Sequence, residues 1–438
     1  MKTQRLRVFG RSSAMVYATV VVAALLTVSM PAQPQAPSQA STTRVLAKID
    51  EMIGDVEQIM GLKALAPIPL SMLTREEINE LVSGRMNEEG PSEDVNNEQR
   101  FLELFGFVDK EFDLAKEVVN TLTEQATALY DYKTKQLYLS TWTPEDMQEF
   151  AIVHELAHAI ADQHFDLGKY VDKSKSADGD LARSAVIEGQ ASWVMTEWVM
   201  LQTGRSLREN GLLAAAAAGA SRYEAVEYPV FASQPLYLRE AMLFPYTQGM
   251  IFQQRVIDRY GQQGFDQVFR KPPTSTQQVL DAESYFAQRV PSEPKLPRFK
   301  LRGFKRESRG DVGQFDHAIL LQQYIDEQES ERIAPLWRGG RYEIWSNADD
   351  SSAVLRYGSD WADADAAKTY FDAYRRILRS KWEHIEFSSR SRARLEGSGD
   401  NGRFIVTLDG ASATSLEGLP DDYKAREYVA ETERGEAE

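Results

Sequence analysis

The 438-residue sequence contains no cysteine. Disulfide bonds, thiolate catalysis, cysteine-ligated zinc and lipidation at cysteine are therefore excluded. Histidine is scarce as well, with five in the whole chain, so a histidine-based site has few residues to draw on. Positive charge is in deficit, because 50 Lys and Arg face 66 Asp and Glu for a formal net charge of −16. This balance argues against nucleic acid as a partner, since phosphate binding rests on basic patches.

The first forty residues have the pattern of an export signal. Basic residues precede an apolar run at 14–30, and a Pro-rich segment of small residues follows it. This order is typical of a secretory signal peptide and predicts an exported protein, periplasmic or extracellular. The apolar run is nearly long enough to cross a bilayer. The alternative is therefore a membrane anchor formed by an uncleaved N-terminal helix.

Hydrophobic periodicity predicts an α+β protein with a larger, mostly helical part and a smaller C-terminal α+β part. A stretch rich in Pro and basic residues separates the two. Strands are expected in the smaller part at RYEIWS, SAVLRYG and RFIVTLDG. The predicted segments are 1–40 as signal peptide or anchor with a Pro-rich linker, 41–289 as the first domain, 290–311 as a linker, 312–425 as the C-terminal domain and 426–438 as a tail.

Local patterns predict several elements within the larger part. Helices are expected at 74–87 and 99–125, and Thr74 with Glu77 has the form of a capping box at the start of the first. Two Tyr-rich apolar runs around a polar turn predict a β-hairpin at 126–140. These elements precede the stretch of the chain that carries most of the candidate chemistry.

The stretch AIVHELAHAIADQHFDL contains three of the five histidines, and His154, Glu155 and His158 form an H-E-x-x-H motif. Residues four apart share one face of a helix, so the two histidines can bind one Zn²⁺ through neutral imidazoles. Glu155 can reach a water on the metal and act as general base. The apolar flanks predict a buried helix at 144–163, in which unpartnered imidazoles would be costly. The alternative is a pair of hydrogen-bonded core histidines.

A catalytic zinc site usually takes three protein ligands, and two residues are candidates for the third. His164 follows His158 at the spacing of the metzincins, in which a glycine breaks the helix and returns the third histidine to the metal. Ala161 stands at that position here and favours a continuous helix, which places His164 about 9 Å beyond His158 along the axis. Glu188, on a second predicted helix, is the better candidate, and a salt bridge to Arg183 is its alternative role.

Glu188 shares its helix face with Ala185, Gly189 and Ser192, all small residues. A face of this kind allows another helix to approach closely. The facing helix is expected to be the one that carries H-E-x-x-H, which also has alanines. Such a contact would bring Glu188 to the two histidines.

Two histidines from one helix and a glutamate from the next form the gluzincin arrangement. The blocks HELAHAIADQHFDL, AVIEGQAS, FPYTQGMIF and PPTSTQQVL resemble a family of mostly uncharacterised exported prokaryotic zinc-metallopeptidase-like proteins. The similarity covers 100–360. The family usually has an acid where this chain has Gln190, and His-Pro where this chain has Asp281 and Ala282.

The resemblance implies a zincin-like catalytic domain at 41–289 that binds Zn²⁺ through His154, His158 and Glu188. It implies an exported metallopeptidase that hydrolyses a peptide or protein substrate by attack of a zinc-bound water, with Glu155 as the base. The alternative is a zinc-binding but non-proteolytic cell-envelope binding or assembly protein with a zincin fold. The departures from the family pattern leave this alternative open, while the intact Glu155 argues against it.

Three further residues have predicted roles. Tyr246 is the candidate donor to the oxyanion, with a structural tyrosine at a helix start as the alternative, and its helix is expected to follow a turn at Pro245. Asp162 is expected either to orient an imidazole or to face solvent. Zincin-type enzymes usually bind substrate as an added strand, and the hairpin at 126–140 is the expected edge for it.

Overall fold

The computed structural model describes six stretches of the chain, and the predicted signal peptide or anchor at 1–40 and the predicted tail at 426–438 lie outside them. The fold is α+β, with helices in the first part and a large antiparallel sheet in the C-terminal region. Within the described part of the chain, no helix is long and apolar enough to cross a membrane. The described stretches are 47–88, 93–125, 127–143, 145–225, 228–347 and 352–423.

The elements are numbered in chain order. The helices are α1 (Ile49–Met60), α2 (Arg75–Glu88), α3 (Glu93–Phe105), α4 (Leu114–Gln125), α5 (Glu145–Phe165), α6 (Leu167–Asp172), α7 (Ala177–Gln202), α8 (Leu212–Glu224), α9 (Pro229–Ala232), α10 (Leu236–Tyr260), α11 (Gly264–Arg270), α12 (Thr276–Leu280), α13 (Ala282–Phe286), α14 (Gln314–Tyr324), α15 (Glu327–Ile333) and α16 (Ala364–Lys381). The strands are β1 (Leu70–Leu73), β2 (Ala128–Asp131), β3 (Gln136–Ser140), β4 (Phe304–Asp311), β5 (Trp337–Asn347), β6 (Ala353–Trp361), β7 (Glu386–Arg390), β8 (Arg394–Gly399), β9 (Gly402–Asp409) and β10 (Ser412–Leu419).

Helix α2 begins with the predicted capping box. The Glu77 amide donates to the Thr74 hydroxyl at 3.2 Å, and the Thr74 amide donates to the Glu77 carboxylate at 2.7 Å. The prediction of one helical stretch at 99–125 is wrong, because the chain turns between α3 and α4. Gly106 allows this turn with a φ of 82°, a left-handed value that favours glycine.

A three-stranded sheet lies next to the helices and has the strand order β1-β3-β2. Strands β2 and β3 form the predicted hairpin, and β1 runs parallel to β3 with Leu70 opposite Leu137. Because β3 is the central strand, only β2 of the hairpin stands at an edge of the described sheet, and its four residues are buried. The expectation that the hairpin as a whole is an edge is therefore wrong for β3.

Helices α7 and α10 approach each other closely in the core. A Cβ on Gly249 would lie 2.1 Å from the carbonyl oxygen of Ala185, and a Cβ on Gly189 would lie 2.1 Å from the carbonyl carbon of Gly249. The expectation that this face of α7 packs on the H-E-x-x-H helix is therefore wrong for Ala185 and Gly189, which face α10. Two glycines permit the approach, since a side chain at either would overlap backbone.

Helix α10 passes through Pro245 without ending, so the predicted turn at Pro245 is wrong. A proline inside a helix removes one backbone hydrogen bond and crowds the preceding turn. Pro245 is buried, and the Thr247 hydroxyl donates to the Leu243 carbonyl at 2.9 Å just beyond it. Burial of the apolar face of α10 outweighs the local cost of the proline.

The C-terminal sheet has the order β4-β5-β6-β10-β9-β8-β7, and all neighbouring strands are antiparallel. Helix α16 packs on this sheet through a buried apolar stripe that includes Tyr370 and Ile377. The eight residues of β4 fall inside the segment predicted as a linker, 290–311, so the end of that segment belongs to the sheet. Asp311, at the end of β4, accepts hydrogen bonds from the first amides of α7 at 3.1 and 3.2 Å.

Candidate metal centre

Helix α5 presents His154 and His158 to the interior. The two residues are one turn apart, their ring centroids are separated by 4.7 Å, and each is 1 % exposed. The helix continues through Ala161 to Phe165 without a break. The alanine in place of the metzincin glycine thus coincides with a continuous helix, and both imidazoles stay on the same buried face.

Helix α7 brings Glu188 to the two histidines. One carboxylate oxygen, Oε2, lies 3.4 Å from His154 Nε2 and 3.4 Å from His158 Nε2. The nearest ligand atoms of the three side chains all lie within 4.8 Å of one another. Arg183, the alternative partner of Glu188, instead donates to the Tyr170 carbonyl oxygen and lies over that ring. The buried group of two histidines and one glutamate could hold a metal ion.

His164 lies away from this group. It is on the last turn of α5, it is exposed, and its Nε2 lies 2.7 Å from the Lys63 carbonyl oxygen. This contact ties the end of α5 to the segment that follows α1. The metzincin-like spacing of His164 therefore does not bring it to the other two histidines.

Burial and mutual contact set the charges of the group. Burial lowers the pKa of His154 to about 4, against a smaller opposing effect from the hydrogen bond to Glu188. Burial on its own would raise the pKa of Glu188, but the two nearby imidazoles outweigh it and lower that pKa to about 2. At neutral pH the Glu188 carboxylate is ionised and the His154 ring is neutral. Both are the forms that bind metal ions.

Two other predicted residues lie beside the group. Glu155 follows His154 on α5 and is fully buried, with 0 % exposure. Tyr246, on α10, is half-buried, and its ring is nearly parallel to that of His154 with 6.2 Å between centroids. Helices α5, α7 and α10 thus bring the predicted ligands and Tyr246 together, and Glu155 is adjacent to His154 in the chain.

Asp162 has neither of its expected roles. It is 3 % exposed, accepts a hydrogen bond from the Tyr130 hydroxyl at 2.8 Å and pairs with Lys135 at 2.6 Å. Both partners belong to the β2–β3 hairpin, so Asp162 fixes the hairpin to α5. The signal in the sequence was the Tyr and Lys content of the hairpin, which offers donors to a buried carboxylate.

The residues that depart from the family pattern also have partners. The Gln190 side-chain amide donates to the Phe265 carbonyl oxygen at 3.1 Å. Asp281 caps α13 by accepting from the Glu283 amide at 3.2 Å. Both contacts fix connections between helices in the region that carries the resemblance.

Comparison with known proteins adds one finding. Residues 299–428 match a family described as a domain of unknown function, DUF8575. No curated protein and no solved structure matches the chain significantly. The match covers less than half of the chain and contains the C-terminal sheet but none of the candidate metal ligands. The resemblance to a zinc-metallopeptidase-like family stays a prediction.

Proposed function

We propose that this protein is a zinc-dependent peptidase of gluzincin type. One observation carries the proposal: His154, His158 and Glu188 converge in a buried group that could hold a metal ion. Zinc is the proposed ion because catalytic zinc sites favour three nitrogen or carboxylate ligands and keep a further position open.

Two distances within the group are compatible with a shared metal ion such as zinc. Ligand atoms about 2.0 to 2.1 Å from a tetrahedral Zn²⁺ lie about 3.3 Å from one another. The distances from Glu188 Oε2 to His154 Nε2 and His158 Nε2 are both 3.4 Å. The buried Glu188 carboxylate also carries a negative charge, which a bound cation would balance.

The side chains around the group supply the proposed proton transfers. When bound, zinc would polarise the scissile carbonyl and acidify a water molecule. Glu155 is proposed to accept the proton from this water and to pass it to the leaving amine. Tyr246 is proposed to donate a hydrogen bond to the developing oxyanion, which its contact with His154 supports.

A peptide substrate is proposed to bind in extended form. The outer side of β2 is an edge of the three-stranded sheet, and β2 packs against α5. The four residues of β2 are buried, so a peptide could reach this edge only after its cover moves. A peptide that added to this edge would form main-chain hydrogen bonds near the helix that carries His154 and His158. This arrangement favours unfolded segments over folded proteins as substrates.

The decisive experiment measures zinc content and cleavage of denatured casein by the full-length protein. We expect about one zinc per chain. Glu155→Gln should keep the zinc and lower the cleavage rate by about 100- to 10,000-fold, the range for loss of a general base. Glu149→Gln, on the same helix but at a surface pair with Lys48, is the matched control and should preserve both.

Each result has a separate consequence. Wild-type protein without zinc would contradict the metal assignment. Zinc-loaded protein that cleaves no peptide would contradict the peptidase assignment and support a zinc-binding, non-proteolytic protein of the cell envelope.

Export is part of the proposal and rests on the N-terminal pattern at 1–40. Cell fractionation with N-terminal sequencing of the mature protein tests it. A new N-terminus within or just after this segment would support a cleaved signal, and an intact N-terminus in the membrane fraction would support the anchor. Recovery of the intact chain with intracellular proteins would contradict export.

A further inference from the structure

A short segment, residues 228–234, lies against Tyr246, and we refer to it as the strap. The strap contains α9, and its Phe231 is fully buried in a cluster with Ala225 and Leu243. Tyr246 packs against this cluster, and its ring also lies 6.2 Å from the His154 ring, centroid to centroid. Tyr246 thus connects the cluster that contains Phe231 to the metal-binding group.

Two carboxylates of α4 hold the strap, and Glu124 makes the larger number of bonds. Glu124, near the end of α4, accepts hydrogen bonds from the amides of Val230 and Phe231, both at 2.9 Å. A carboxylate that binds two adjacent amides with separate oxygens forms charge-assisted bonds, which are about twice as strong as neutral ones. Gln234, at the end of the strap, adds a bond to Glu117 at 3.0 Å. The strap is thus fixed to α4, an element outside the three helices of the site.

The metal-binding group is closed to a peptide in this arrangement. His154 and His158 are each 1 % exposed, Glu188 is 6 % exposed and Glu155 is 0 % exposed. A scissile bond must come within a few ångströms of all of them, so part of the cover must move. The helix in the strap is only four residues long.

We propose that Glu124 latches the strap over the metal centre, and that release of the latch admits extended peptides while folded proteins stay excluded. The proposal rests on the proposed peptidase function and names the substrate class of that site. Opening would uncover the cluster against which Tyr246 packs, and Tyr246 lies beside His154. The latch lies outside the ligand set, so its strength can change without any change in the ligands.

Limited chymotrypsin digestion and chelation of zinc test the latch on the full-length, zinc-loaded protein. Phe231 precedes alanine in the strap and is a chymotrypsin site that becomes available only when the strap opens. Glu124→Gln should raise the rates of cleavage after Phe231 and of zinc capture by a chelator by about tenfold, since a neutral amide replaces a charged acceptor. Glu111→Gln, an exposed acid ahead of α4, is the matched control and should change neither rate.

A crosslink provides the opposite test. The chain has no native cysteine. Glu124→Cys combined with Ser233→Cys can therefore be joined by a cleavable bismaleimide as the single crosslink. Casein hydrolysis should stop in the linked protein and return when the linker is cut, with circular dichroism unchanged throughout.

The outcomes separate the latch from the peptidase. Unchanged cleavage after Phe231 in Glu124→Gln would overturn the latch. Faster cleavage without faster zinc capture would overturn its position over the metal centre, as would full activity of the crosslinked protein. A protein that binds no zinc would contradict the proposed function. The rate of chymotrypsin cleavage after Phe231 in Glu124→Gln would still show whether Glu124 holds the strap.

Discussion

Glu188 is the residue on which the metal-binding group depends, because it supplies the oxygen that both imidazoles face. Glu188→Gln should lower zinc affinity by at least about 100-fold, more than the loss of an outer-sphere partner costs. His164→Ala should leave the affinity unchanged, since His164 contacts the Lys63 carbonyl instead. Competition with a chromophoric chelator measures both. An equal loss in the two variants would point to His164 as a ligand and contradict the assignment of Glu188.

His317 makes stability depend on pH outside the metal centre. Burial lowers its pKa from 6.5 to about 4. The unfolded chain therefore takes up the proton first, and the stabilisation present above pH 6.5 is lost as pH falls to the folded value of about 4. The shift corresponds to about 3 kcal/mol. Nδ1 contacts the Gly313 carbonyl oxygen at 2.7 Å, and Nε2 contacts the Tyr357 hydroxyl.

Urea denaturation between pH 7 and pH 4 measures this dependence. His317→Asn has no group that titrates in the range, so its stability should fall less steeply than that of the wild type. His384→Asn, at an exposed histidine paired with Asp400, is the control and should follow the wild type closely. Parallel curves for wild type and His317→Asn would show that His317 contributes nothing to the pH dependence.

At the scale of elements, the contact between α7 and α10 sets the position of Glu188. Gly249→Ala would place a methyl group 2.1 Å from the Ala185 carbonyl oxygen, so the helices must separate. The expected cost in unfolding free energy is about 1–3 kcal/mol, as for other overpacked cores, and zinc affinity should fall with it. Gly54→Ala, with open space around it on α1, should stabilise the protein by up to about 1 kcal/mol. Denaturant titration with and without zinc tests both variants. Unchanged zinc affinity in Gly249→Ala would contradict the idea that the α7–α10 contact positions Glu188.

Elements with local signals could be predicted from the sequence. The capping box of Thr74 and Glu77 and the β2–β3 hairpin depend on residues a few positions apart, and both are present. Strand β1 was missed because its partner β3 is distant in sequence. Helix α10 was divided at Pro245 because tertiary packing, which a local pattern does not contain, decides whether a proline interrupts a helix.

The sequence likewise predicts some features of the candidate site and not others. The spacing of His154 and His158 fixes their shared face, and Ala161 accounts for the continuous helix beyond them. The small residues around Glu188 indicated a close helix contact but did not identify α10 as the partner, since the face of a helix does not specify what covers it. The contact of Glu124 with the strap had no sequence signal, because it joins segments more than a hundred residues apart.

At the scale of the whole molecule, a buried lysine joins the C-terminal sheet to the helical part. Lys381, at the end of α16, pairs with Glu417 at 2.9 Å and donates to the Leu104 carbonyl oxygen on α3 at 2.6 Å. The side chains are 4 % and 3 % exposed. Lys381→Ala should cost about 3–5 kcal/mol, because it leaves the Glu417 carboxylate buried without its cation.

Lys368→Ala on the same helix is the matched variant. Lys368 pairs with Asp372 at the surface, so its loss should cost at most about 1 kcal/mol. Thermal unfolding of both variants distinguishes the cases. Similar midpoints would mean that the buried pair does not hold the sheet to α3.

The hydrogen bonds from the first amides of α7 to Asp311 bear on how such a chain can evolve. Residues 299–428 match a family by themselves and contain Asp311, while α7 carries Glu188. A recombination event between α7 and β4 would separate the sheet from the helix that Asp311 caps. The first amides of α7 would then lack their acceptor. The N-terminus of α7 and the end of β4 are therefore expected to be inherited as a pair, and a chimera that exchanges the sheet must carry an acceptor at the position of Asp311.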